Sequence, residues 1–78
     1  MMKEYMILLD SVDKVKAFEM IVRKTSCNMD IGHGRRIVDA KSIMGLLSLN
    51  LAKPLKLKVY DADDKFDEEL IKDFIYRE

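Results

Sequence analysis

Leu55, Leu57 and Val59 alternate with Lys56 and Lys58 in the stretch KPLKLKVYD, and this period of two constrains the chain more than any other feature. Successive side chains of a strand point to opposite faces, so the segment demands a sheet with one covered face and one wet face. A cover is available between Val12 and Thr25, where Val15, Phe18, Ile21 and Val22 recur at steps of three and four among Lys14, Lys16, Arg23 and Lys24. That spacing predicts an amphipathic helix, capped by Ser11 or Asp13.

The remaining elements follow from period and turn chemistry. In KEYMILLD, Tyr5, Ile7 and Leu9 alternate with Met6 and Leu8, which predicts a mostly buried central strand over residues 3–9. Two short extended pieces flank GHG, whose glycines suit a tight turn, so a β-hairpin is expected across residues 28–40. The oily stretch DAKSIMGLLSLN predicts a second helix. Near the end, Phe66, Leu70, Ile71, Phe74 and Ile75 line one stripe, and Asp67, Glu68 and Glu69 crowd the positive end of its dipole, which predicts a third helix. The order is βαββαβα. It describes an α+β fold, with helices on one face of a four-stranded sheet, in a single domain over residues 1–78.

Composition narrows the function classes. A chain of 78 residues has little room for a deep substrate cleft. Fourteen basic and fourteen acidic residues cancel, so the overall basic field of a nucleic-acid binder is missing. Cys27 is the sole cysteine and His33 the sole histidine, which predicts no intrachain disulfide and no structural metal site. No cofactor is expected. The apolar run in MMKEYMILLD is short and interrupted by charge, so neither a signal peptide nor a membrane span is expected, and a reducing cytoplasm fits. The carboxylates of DADDKFDEE read as an acidic turn leading into the last helix, because Lys65 and Phe66 stand where a calcium loop needs a ligand and a glycine.

The segment AKSIMGLLSLNLAKPLKLKV, placed in this element order, resembles the HPr family, the histidine-containing phosphocarrier proteins of the bacterial sugar phosphotransferase system. The most specific part is KSIMG followed by SL, and the likeness extends over nearly the whole chain. It implies an open-faced β-sandwich of four antiparallel strands under three helices. It also implies a histidine at the start of the first helix, in a G-x-H-A-R-P motif, that accepts phosphate from enzyme I and passes it to sugar permeases. In many Gram-positive members the serine of KSIMG is phosphorylated by a dedicated kinase to control catabolite repression.

Carried over residue by residue, the resemblance makes Ser42 the regulatory phosphorylation site and Ile43, Met44 and Leu47 the apolar partner-binding residues. The histidine is not matched. An ungapped alignment puts Asp13 at its position, Val15 at the arginine and Lys16 at the proline, so no imidazole is available to attack a phosphoryl donor. Without it the chain is more similar to the catabolite-repression branch called Crh than to a working phosphocarrier. The expectation is a non-enzymatic docking module whose partners are proteins: an HPr kinase-like enzyme, a transcriptional regulator or a permease component. The alternatives are a phosphocarrier using another acceptor residue and an interaction module without phosphate chemistry. His33 reads as a solvated residue at the tip of the hairpin. Arg35, Arg36 and Lys41 form a candidate anion-binding set, against the plainer reading of wet hairpin residues.

Overall fold

The computed structural model describes residues 2–60 and 66–77. The elements come in the expected order: β1 (Lys3–Ile7), α1 (Val12–Arg23), β2 (Met29–His33), β3 (Arg36–Asp39), α2 (Ile43–Leu47), β4 (Leu55–Val59) and a 3-10 helix (Glu68–Phe74). The strands form one antiparallel sheet in the order β1-β4-β2-β3.

The alternation in β4 does what its period demands. Leu55, Leu57 and Val59 are fully buried while Lys56 stays exposed. Across the ladder Leu57 pairs with Tyr5 on one side and Ile31 on the other, so the covered face continues through the neighbouring strands. Val15, Phe18 and Val22 of α1 close over that face. Phe18 meets Phe74 of the 3-10 helix edge-on, with ring centroids 5.5 Å apart, and so joins two covering elements.

Three local expectations need correction. β1 is an edge strand, not a central one, and only its inward side is covered: Ile7 is buried, whereas Glu4 and Met6 are exposed. A run of apolar residues reads alike in a central strand and in an edge strand whose outer residues merely happen to be apolar. The last helix is 3-10, capped at Asp67, whose carboxylate accepts from the amide of Glu69. At three residues per turn Ile71 and Phe74 share the buried side, and Leu70 falls outside the stripe and is exposed. The oily segment is helical only over five residues, after which the chain turns; Leu49 still reaches the core and Leu51 half does. Residues 61–65 of the acidic turn lie outside the described residues.

The hairpin is set by two glycines with different duties. Gly34 takes φ +61°, the left-handed conformation that glycine adopts at little cost. Gly32 is needed for space: a Cβ there would lie 2.0 Å from the carbonyl oxygen of Arg36.

Candidate functional site

α2 follows β3 directly, and its start is built by two short bonds. The amide of Ser42 donates to the carbonyl of Asp39 at 3.0 Å, and the amide of Lys41 donates to the Asp39 carboxylate at 2.9 Å. Ser42, still with extended backbone, is the N-cap, its Oγ accepting from the amide of Gly45 at 3.1 Å. Gly45 lets this turn lie close to the sheet, because a Cβ there would come within 3.0 Å of the Val38 side chain.

The helix divides its apolar residues between two environments. Leu46 is buried in the core and Ile43 packs against it half-buried. Met44 is 77% exposed and Leu47 42% exposed. Of the three residues expected in the patch, Met44 and Leu47 face solvent, while Ile43 is largely committed to the core. This accounts for the excess of apolar residues in the segment: one core uses Leu46, Leu49 and part of Ile43 and Leu51, and the rest stays outside. On α1, which packs against α2, Met20 is 57% exposed. Its signal in the sequence is an apolar side chain standing off the stripe of Val15, Phe18 and Val22.

The start of α1 holds no imidazole. Ser11 is the N-cap, with extended backbone and an Oγ that accepts from the amide of Lys14 at 3.2 Å. Asp13 is the second residue inside the helix and is exposed. Val15 is fully buried, so it is unable to present a group to a phosphoryl oxygen, and the ungapped alignment through Asp13, Val15 and Lys16 does not fit the geometry. A residue at the start of the helix is Ser11, and a motif anchored there runs on through Asp13 and Lys14. Lys14 is already paired with Asp10 at 2.9 Å, and its hydrogen bond holds the Asp10 carboxyl below the usual carboxylate range.

The other charged candidates are scattered. His33 is exposed at the end of β2, paired across the hairpin with Arg36. Arg35 and Arg36 lie exposed at that hairpin, but Lys41 lies beyond the far end of β3, where its Nζ donates to the carbonyl of Thr25 at 2.8 Å and ties the approach to α2 to the end of α1. The structure therefore does not gather the three cations into one site. Sequence reasoning also missed Glu19, a buried carboxylate on α1 that takes a two-point hydrogen bond from the Arg23 guanidinium. Those bonds hold its carboxyl below the usual range. Among the described residues no group of three or more His, Cys, Asp or Glu side chains is placed to hold a metal ion, and no helix is long and apolar enough to cross a membrane.

No protein-family model matches the sequence, and no curated protein matches it. Among solved structures the chain is similar to the crystal structure of HPr-C-His from Thermoanaerobacter tengcongensis. The two share 30% sequence identity at a TM-score of 0.69, over 90% of this chain and 83% of that one. The chain belongs to the HPr family. The four-stranded antiparallel sheet and the three helices are thus those of an HPr fold.

Proposed function

We propose that this HPr-family chain is a docking module that carries no phosphohistidine and is switched by phosphorylation at Ser42. The observation that carries the reading is the pairing of an exposed apolar patch, Met44 and Leu47, with a serine hydroxyl one residue before the helix that bears them. Large apolar side chains left in water on a small domain mark a surface that a protein partner covers. A phosphate on Ser42 would place about two negative charges beside that patch. Partners wanting a dry surface would be weakened and partners offering an arginine strengthened. The reading makes the protein a non-enzyme working in the cytoplasm. Its partners are an HPr kinase-like enzyme, a regulator or a permease component.

The absence of relay chemistry rests on composition and place. Ser11 and Asp13 stand at the start of α1, Lys14 is occupied by Asp10, and the sole histidine lies on the hairpin. A phosphohistidine relay needs an imidazole nitrogen as nucleophile together with donors for the charge that develops, and no imidazole stands at the start of α1.

The test is restoration by design. The variant Ser11→His, Asp13→Arg, Lys14→Pro places the family's motif at the start of the helix, where proline is tolerated in the first turn. It should stay folded and accept phosphate from enzyme I and phosphoenolpyruvate. The variant Asp13→His, Val15→Arg, Lys16→Pro should instead unfold, because it buries a guanidinium and breaks the helix interior. A folded first variant that enzyme I ignores would show that the docking surface does not serve enzyme I. Phosphate on the unaltered protein would favour a phosphocarrier with another acceptor.

A further inference from the structure

We infer that the segment Phe74–Tyr76 is an edge guard: it covers the outer edge of β1 where that strand is uncharged and so keeps the sheet from pairing with a second copy of this chain. Two backbone hydrogen bonds define it, and together they make one antiparallel bridge. The amide of Leu8 donates to the carbonyl of Phe74 at 2.8 Å, the amide of Tyr76 donates to the carbonyl of Met6 at 2.7 Å, and Ile7 and Ile75 face each other as an isolated antiparallel bridge between them.

The geometry fixes what is being covered. In an antiparallel ladder both polar groups of a residue point to the same side, so Met6 and Leu8 aim their amides and carbonyls outward while Ile7 and Tyr5 aim theirs at β4. An exposed edge is a template for another strand, and the danger is greatest in an uncharged run of β-formers without proline. Residues 5–9, YMILL, are such a run. The preceding Lys3 and Glu4 protect their part of the edge by charge, and the guard sits on the part that has none. The opposite edge, β3, is protected differently, by its length of four residues and by Arg36 and Asp39 at its two ends.

The guard's hold on the core weakens along its length. Phe74 is buried against Phe18, Ile75 is half-buried, and Tyr76 is exposed. Such a segment opens without unfolding the domain, and its seat shows that this edge accepts an antiparallel chain. The occupant of the vacated edge is β1 of a second copy. In the twofold register centred on Tyr5, Glu4 of one copy meets Met6 of the other, which sets no like charges together.

Two measurements test this. In the unaltered protein, which should sediment as a monomer, the Leu8 amide should exchange with solvent faster than the Ile7 amide, because only Leu8 is released by opening the guard. Equal protection of the two amides would overturn the proposal, since the guard would then be no separable unit, and so would a dimer of the unaltered protein. Next, Tyr76→Pro deletes one of the bonds, and Ile75 already holds φ −66°, ψ 127°, which suits the residue before a proline. Leu8 exchange should rise about fivefold to tenfold, and the variant should associate with increasing concentration in sedimentation velocity. Tyr76→Ala keeps the amide and should match the parent in both. Faster exchange with a strictly monomeric Tyr76→Pro variant would contradict the guard role, and a variant that does not fold leaves the amide comparison in the unaltered protein to decide.

Discussion

Ser42 Oγ sits 3.1 Å from the amide of Gly45 and accepts its hydrogen bond, so one hydroxyl caps α2 two residues before the exposed Met44. Removing it with Ser42→Ala should cost about 0.5 to 2 kcal/mol in thermal or denaturant unfolding. Ser42→Asp should recover most of that loss, because aspartate caps as well as serine. A Ser42→Asp variant as unstable as Ser42→Ala would mean that the hydroxyl has a packing role and not a capping one.

Met44 and Leu46 are two residues apart and face opposite environments, one 77% exposed and the other fully buried. Leu46→Ala should cost about 2 to 5 kcal/mol through lost burial and the cavity left behind. Met44→Ser should stay within about 0.5 kcal/mol of the parent. Chemical denaturation of both variants checks the division of the helix, and a large loss at Met44 would mean that its side chain is core and not docking surface.

The two hairpin glycines should separate by mechanism. Gly32→Ala drives a Cβ into the backbone carbonyl of Arg36 and should cost about 3 kcal/mol or more, since the backbone has to move. Gly34→Ala meets no atom within 4 Å and should cost only the left-handed backbone strain, about 1 to 2 kcal/mol. Equal losses at the two positions would contradict the close approach at Gly32.

Titration should reveal pairs of opposite sign. Glu19 is held below the ordinary carboxylate range by hydrogen bonds from Arg23, so its stabilisation is present above the unfolded value, about 4.3, and is lost as pH falls through the lower folded value. Glu19→Gln should flatten the acid slope of stability. Tyr60 is held above its usual value first by its hydroxyl's bond to Asp30 at 3.0 Å, so its contribution is present below about pH 10 and is lost as pH rises through the folded value. Tyr60→Phe should flatten the alkaline slope, and an unchanged slope would mean that the Tyr60–Asp30 bond does not persist in solution.

Much of the fold was legible because burial imposes a period. The alternation of Leu55, Leu57 and Val59 and the helical spacing of Val15, Phe18 and Val22 each allow one face and no other. The position of β1 was not legible, since Met6 and Leu8 look like core residues until the C-terminal segment is seen lying along their edge. The last helix was read with 3.6 residues per turn, and the tighter 3-10 turn dropped Leu70 from its stripe. At the candidate site the KSIMG signature located Ser42 and Met44. The start of α1 at Val12 was legible, but the family motif laid over it at Asp13, Val15 and Lys16 was not placed correctly, because only the cap geometry of Ser11 and the burial of Val15 fix where it can sit.

The central claim is that an HPr-family fold here docks without relaying phosphate through a histidine. Incubation of the unaltered protein with phosphoenolpyruvate and enzyme I, followed by intact-mass measurement before and after acid treatment, tests it most directly. The account predicts an unchanged mass in both samples. A stoichiometric, acid-labile phosphate, above all one mapping to His33, would contradict it.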